Sequence, residues 1–370
     1  MKQEFESDSL HLSWLIIPRE RFIVRLGLFA IFAFFIYIVS VLSSAILIQI
    51  GNAQFAARNE KLGTASYNLA LEFNIDLKRA VYQCYAKSTE QQYELAMEQC
   101  NRAIEINKNY ATAYFYRGYA YWKLKQYDQA IADFTKDIEL ITVATRSYIN
   151  RGSVYMALNK YDLAIADFTK SIEINPKEQQ AWLNRGLAYG SQGKHNLAID
   201  DCNKAIELDD KYSNAYFCVG VALVKQGNYD LALNNYDKAI EIDPNYGLAY
   251  SARGVLYAAQ GNYDLAISDF DKAIEIEPTY ADAYIWRGNA FADTKNFSQA
   301  IADYQKAIFI AKDSRAISYA YCVQGITYTK MGDFESAIPS LEEGIKMDPA
   351  DENSWCKTAL ENARQGIPTP

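Results

Sequence analysis

One interval dominates this chain: from Ala111 onward the same small and aromatic residues return every 34 positions. Six segments, 111–144, 145–178, 179–212, 213–246, 247–280 and 281–314, align without a gap, and a seventh, 318–351, follows the insertion Arg315–Ile317. The eighth position is glycine in all seven (Gly118, Gly152, Gly186, Gly220, Gly254, Gly288, Gly325). The twentieth is always alanine (Ala130, Ala164, Ala198, Ala232, Ala266, Ala300, Ala337). Side chains this small at both places let two antiparallel helices approach closely. Large apolar side chains at positions 4, 11 and 24 fill the space beside that contact, and position 11 is aromatic in six of seven. Pro176, Pro244, Pro278 and Pro349, at position 32, stop the second helix, because proline cannot donate the next bond. Turns such as Gly227–Asn228 and Gly261–Asn262 part the two helices of a pair. One such pair cannot bury its own apolar face, so the pattern predicts a stack in which neighbours cover each other.

This period and pattern resemble the tetratricopeptide repeat family, over residues 77–365. The resemblance implies an all-α fold, a right-handed α-solenoid of stacked helix-turn-helix repeats whose first helices line a concave groove. Residues 77–110 read as a degenerate first repeat, with Cys84 where glycine is expected; 111–314 hold the six gap-free repeats and 318–351 the seventh. Residues 352–365 read as a capping helix with Trp355 inward and Glu352, Lys357, Glu361 and Arg364 towards water.

Ahead of the repeats, Leu26–Ile50 carries no charge over 25 residues, and 16 of them are Leu, Ile, Phe or Val. About 20 apolar residues suffice to cross a bilayer core. The summed insertion term is on the order of −5 to −10 kcal/mol. The stretch therefore reads as a transmembrane helix, between a short N-terminal segment (1–25) and a juxtamembrane linker or helix (51–76). The competing reading is a cleaved signal ending at Gly51–Asn52–Ala53, although signal cores run to only about 7–15 residues. Arg19, Arg21 and Arg25 before the span against Arg58 and Lys61 after it favour a cytoplasmic N-terminus and extracytoplasmic (periplasmic or luminal) repeats. Cytoplasmic repeats, or a secreted chain, are the alternatives. Ser40 and Ser44 form a small-xxx-small pair compatible with a homodimer.

The formal charge is −8; residues 1–25 balance and 26–50 are neutral, so all of it lies in 51–370. An acidic domain without a basic stripe excludes nucleic acid as a partner, since phosphate neutralisation dominates that affinity.

Position 7 is arginine in five repeats (Arg117, Arg151, Arg185, Arg253, Arg287), and position 23 is aspartate in the same five (Asp133, Asp167, Asp201, Asp269, Asp303). The three repeats without the arginine also lack the aspartate: Gln83 with Gln99, Val219 with Asn235, Gln324 with Ser340. The joint absence predicts a bidentate Arg–Asp bridge inside each repeat. The competing role is a ligand clamp.

In the family's architecture positions 2, 5, 6, 9, 12 and 13 face the groove. Here the resemblance assigns Phe115, Tyr119, Trp122, Asn150, Asn184, Leu187, Phe217, Val221, Val224, Val255, Ile285, Trp286 and Asn289 to partner binding. Few groove positions are charged, which suits an extended peptide or helix with apolar anchors, its backbone bonded by asparagine amides. Phe115, Tyr119 and Trp122 could equally pack on the degenerate repeat. Asp137 is odd, standing where other repeats have Ala, Ser or Gly.

Catalysis is not expected. There is no glycine-rich phosphate loop, nucleophile elbow, HExxH or CxxC, and neither His11 nor His195 has a neighbour at metal spacing. No cofactor is implied, and His195 reads as a packing substitute for the Tyr or Phe of other repeats. Of six cysteines, Cys84 with Cys100 is the best candidate disulfide, and Cys202 with Cys218 shares its separation. Cys322 and Cys356 read as too far apart, and free thiols are the favoured state. The expected function is a membrane-anchored interaction scaffold. The alternatives are a chaperone-like carrier of unfolded or lipid-modified clients and a regulatory subunit of a membrane enzyme complex.

Overall fold

The computed structural model describes residues 37–39, 41–43, 46–47, 75–141, 143–347 and 354–368. Among the described residues every regular element is a helix, and there is no strand. The chain divides into two compact units, 1–160 and 161–370. The first holds α1 (Ile75–Thr89), α2 (Tyr93–Ile106), α3 (Ala111–Lys123), α4 (Tyr127–Leu140) and α5 (Thr145–Ala157). The second holds α6 (Tyr161–Ile174), α7 (Gln179–Ser191), α8 (His195–Leu208), α9 (Ser213–Lys225), α10 (Tyr229–Ile242) and α11 (Gly247–Ala259). It continues with α12 (Tyr263–Ile276), α13 (Ala281–Asp293), α14 (Phe297–Ile310), α15 (Ser314–Met331), α16 (Phe334–Met347) and α17 (Ser354–Arg364).

Within each unit every helix packs on the next, and first helices also touch first helices, as α1 touches α3 and α7 touches α9. That is the connectivity of a solenoid of helix-turn-helix repeats. Its tightness comes from position 8. A Cβ added at Gly220 would lie 2.5 Å from the Tyr236 ring, and one at Gly288 would lie 2.6 Å from Tyr304. Even alanine is too large there. The rings thus admitted at position 24 (Phe134, Tyr236, Phe270, Tyr304) are buried together with the position-20 alanines. Each ring contributes about 1.5–3 kcal/mol relative to leaving it in water.

Every turn between the helices of a pair places its position-15 residue in the left-handed region. Gly193, Gly227, Gly261 and Gly332 do so without a Cβ; Gln91, Lys125, Asn159 and Lys295 do so with one. The turn geometry is shared, although glycine occupies only half of the sites.

All six cysteines are paired, which corrects the expectation of free thiols. Cys84 in α1 joins Cys100 in α2 with the Cα atoms 4.9 Å apart, and Cys202 in α8 joins Cys218 in α9 at 6.3 Å. Cys322 in α15 joins Cys356 in α17 at 5.6 Å. The expectation that this last pair lies too far apart fails because α17 packs directly on α15 as well as on α16. Gly344 of α16 makes the room: a Cβ there would sit 2.6 Å from the Cys322 sulfur.

The expectations for 1–25, for most of the 26–50 span and for 51–74 lie outside the described residues. Among the described residues no helix is long and apolar enough to cross a membrane. Of the span, Tyr37, Ile38, Val39, Leu42 and Ile46 are exposed, while Leu47 packs against Leu77, Ala80, Ala103, Tyr110 and Ala113.

Candidate functional site

The arginine ladder is built inward. Arg117 donates through Nε and Nη2 to both carboxylate oxygens of Asp133, at 2.7 and 2.6 Å. The same fork joins Arg185 to Asp201 (2.7 and 2.9 Å), Arg253 to Asp269 (2.8 and 2.6 Å) and Arg287 to Asp303 (2.8 and 2.6 Å). Arg151 and Asp167 fall in different units. In each ladder arginine the remaining Nη1 reaches back 16 residues, to position 25 of the preceding repeat. Its acceptors are Asn101, Thr135, Thr169, Asp237 and Asp271 for Arg117, Arg151, Arg185, Arg253 and Arg287 in turn. Each guanidinium also lies near the aromatic rings of its own helix, Arg185 at 4.9 Å from Trp182 and 5.8 Å from Tyr189. A lysine could make neither the fork nor the stack.

Burial pushes the Asp133 and Asp303 carboxyls above the ordinary carboxylate value, against the pull of Arg117 and Arg287. The bonds they donate to Asp269 and Asp303 raise the Arg253 and Arg287 guanidiniums against their own burial. Arginines with their forks and third nitrogens engaged are ties between helices. They offer little to a ligand.

The assigned groove residues divide by position. At position 5, Phe115 packs on Phe134 with ring centroids 6.0 Å apart, and Phe217 packs on Tyr236 at 5.7 Å and Tyr246 at 5.2 Å. Ile285, also at position 5, is only 3% exposed, within a cluster of Tyr284, Ala307 and Ala320. The groove assignment of Ile285 is therefore corrected: the small Ala307 of α14 and Ala320 of α15 let those helices close over it. Tyr119 and Trp122 are half-buried against Ala130, Phe134 and Val154, with Tyr93 6.4 Å from Tyr119. That aromatic stripe is largely filled packing.

Asn150 and Asn184 are half-buried. Val224 packs on the cluster around Tyr236, and Val255 on the one around Phe270. Asn289 accepts a bond from the Tyr304 hydroxyl at 2.8 Å, so its amide oxygen serves the fold. Three assigned residues stand open: Leu187 at 41%, Val221 at 37% and Trp286 at 37%.

Leu187 and Val221 share one site. They wall a hollow of about 230 Å³ between α7 and α9, closed below by the start of α8. Gly186, Gly190, Ser191, His195, Ala198, Cys218, Ala222 and Lys225 complete the lining. Reading the sequence alone missed Gly190, His195 and Lys225 as site residues. The available signal was that positions 12 and 17 both shrink in one repeat: Gly190 stands where Trp122, Met156 and Val224 stand, and His195 where Tyr127, Tyr161 and Tyr229 stand.

A second feature lies between α4 and α5, at the Asp137 that stands out in the sequence. Ser147, wholly buried, donates to Asp137 at 2.5 Å. Burial pushes the Asp137 carboxyl up to about 7, against the hold of Ser147. No group of His, Cys, Asp or Glu among the described residues could hold a metal ion.

The comparisons agree with this architecture. Models described as TPR repeat match residues 89–125, 220–261 and 254–295. Models described as tetratricopeptide repeat match 111–141, 145–178, 180–212, 281–314 and 318–351. None of the curated proteins compared matches the sequence. Among solved structures, the APC/C hetero-tetramer Cut9–Hcn1 superposes with a TM-score of 0.59 at 17% identity, covering 78% of this chain and 55% of that one. A tetratricopeptide repeat protein from Parabacteroides merdae superposes with a TM-score of 0.53 at 18% identity, covering 69% of this chain and 98% of that one. At these identities the likeness speaks for the fold alone. With repeat models matched across more than half of its length and helix pairs stacked as described, this chain belongs to the tetratricopeptide repeat family.

Proposed function

We propose that this protein is a membrane-anchored scaffold whose first-helix face in the second unit binds an extended segment of another protein through apolar anchors. The observation that carries the reading is the open apolar surface at Leu187, Val221, Leu248 and Trp286, the first two gathered around one hollow. Such a face matches a peptide or helix with spaced apolar side chains. The tetratricopeptide repeat class itself is one of protein interaction.

The anchor is residues 26–50, supported by the 25-residue uncharged run and by the exposure of Tyr37, Ile38, Val39, Leu42 and Ile46. The repeats lie on the extracytoplasmic side. Three disulfides that consume every cysteine support that placement, because such bonds persist in oxidising compartments.

The test uses the full chain in lipid nanodiscs, panned against a displayed library of random nine-residue peptides. A chain carrying Leu248→Asp with Trp286→Ala should bind the enriched peptides at least tenfold more weakly. Peptides that bind this double variant as well as the parent overturn the groove reading. Reporter fusions at both termini test the topology, and a C-terminus on the cytoplasmic side overturns the placement.

A further inference from the structure

Resting on the groove reading above, we propose that the bound segment carries an arginine whose guanidinium lies on the Trp286 indole and bonds to Asp282, towards the C-terminal end of the second unit's groove. Asp282 and Trp286 stand one turn apart on α13, at groove positions 2 and 6, so their side chains are neighbours. The indole is 37% exposed, and Tyr319 of α15 backs it with ring centroids 6.2 Å apart. Trp286 is thus held from one side and open on another.

The charge around it is unbalanced. Asp282 is half-buried, and Asp313, the residue before α15, lies close enough to repel it. Burial first and Asp313 second push the Asp282 carboxyl above its ordinary value. Asp303 is buried too, but Arg287 pulls it back, and Asp282 has no such cation. Lys312 and Arg315 adjoin Asp313 in the chain, yet among the described residues neither is bonded to either carboxylate. An aspartate in the first turn of a helix gains some support from the helix dipole. A second carboxylate beside it works the other way. The pair calls for a cation from outside, and with no third ligand beside them the two carboxylates do not make a metal site.

The fold itself shows which cation suits such a setting. Arg185 lies 4.9 Å from the Trp182 ring while its fork holds Asp201 at 2.7 and 2.9 Å. At Trp286 the ring and the carboxylate recur on an open face without the guanidinium. A planar guanidinium can stack on an indole and bond to a carboxylate at once, whereas a lysine ammonium is a strongly hydrated point charge that gains less from the ring. Val221 and Leu248, on earlier first helices of the same face, receive apolar side chains of the same segment.

The panning of the full chain in nanodiscs supplies the test. The enriched peptides should share an arginine. Replacing it with citrulline, which keeps the shape and loses the charge, should weaken binding about thirtyfold, and replacing it with lysine about fivefold. Asp282→Asn in the chain should cost the arginine peptide about tenfold and the citrulline peptide nothing. Trp286→Leu, which retains an apolar side chain, should cost the arginine peptide about fivefold. Because the Asp282 carboxylate has no cation in the free chain, Asp282→Asn should leave Tm unchanged or raise it.

Enriched peptides without a common arginine, equal binding of the arginine peptide and its lysine or citrulline counterpart, or a lowered Tm in Asp282→Asn overturns the arginine seat. Each of these leaves the groove reading standing if Leu248→Asp with Trp286→Ala still weakens the same peptides.

Discussion

The repeats at 111–144 and 179–212 share one scaffold and distribute volume and polarity in opposite ways. In the first, the exposed face is filled by Tyr119, Trp122 and Tyr127, while Asp137 and Ser147 form a polar pair buried between α4 and α5. In the second, Leu187, Gly190 and His195 leave a hollow, while the position of Asp137 is held by Ala205, wholly buried. The ladder pair is the same in both: Arg117 with Asp133, Arg185 with Asp201. A tetratricopeptide repeat thus separates its duties. Positions 7, 8, 20 and 23 hold the two helices together, and positions 12 and 17 can be emptied without loosening them.

If the ladder is common framework, its removal should cost the two repeats alike. Arg117→Ala and Arg185→Ala each leave a buried aspartate unpaired, and each should destabilise by about 3–5 kcal/mol in urea unfolding. A double-mutant cycle on Arg185 and Asp201 should show coupling well above the roughly 0–1 kcal/mol of an exposed pair. Single variants within 1 kcal/mol of the parent would return the arginines to the role of ligand clamps.

Asp137 should separate the repeats by pH. Its folded value near 7 stands above the usual value near 3.9, so the folded state holds the proton more tightly. Its contribution is therefore fully present below about pH 4, declines as pH rises towards 7, and is lost above that. At pH 8, Asp137→Ala should stabilise by about 2–4 kcal/mol, with little effect at pH 4. Thermal unfolding across pH 4–8 reads the difference. A parallel shift at all pH values would mean that the carboxyl does not titrate in this range. Introducing aspartate in place of Ala205 in the other repeat should create the same slope.

How far each feature could be read from the residues depends on how many helices it involves. The helix pairs were legible because Gly118 and Ala130, and their equivalents, act within one repeat and recur at one interval. The ladder was legible for the same reason, as its two members vanish together. Its third bond, from Arg185 to Thr169, crosses to the preceding repeat, where position 25 varies among Asn, Thr and Asp and leaves no recurring sign. Ile285 was misassigned because a helical face alone does not tell whether the next repeat covers it, as Ala307 and Ala320 allow here. The Cys322–Cys356 bond required knowing that α17 reaches back to α15. The hollow was hidden because it arises from what two separate positions lack.

The two glycines of α7 divide framework from open face within a single helix. At Gly186 an added Cβ would lie 2.6 Å from the Cys202 sulfur and 3.1 Å from the Ala198 carbonyl oxygen. Gly186→Ala should therefore destabilise by about 1–3 kcal/mol through overpacking. Four residues on, Gly190→Ala meets no obstacle and replaces a poor helix former, so it should stabilise by about 0.5–1 kcal/mol. Chemical denaturation of the two variants side by side tests both signs at once. A stabilising Gly186→Ala would mean that the helices of this pair stand further apart than described.

The smallest effect is expected at the turn that both repeats share. Lys125 in the first and Gly193 in the second adopt the same left-handed conformation, at φ 60° and 75°. A side chain there costs about 1–2 kcal/mol through contact between Cβ and the backbone, whereas glycine gives up about 0.5–1 kcal/mol because its unfolded state is freer. The balance favours glycine. Lys125→Gly should stabilise by about 0.5–1 kcal/mol, and Gly193→Lys should destabilise by the same amount. The exchange alters no packed contact, since nothing lies within 4 Å of a Cβ built on Gly193, so the two shifts in urea midpoint should be equal and opposite. Unequal shifts would show that the turn of one repeat is held by something other than its own backbone. The likeness between the two scaffolds would then end at their helices.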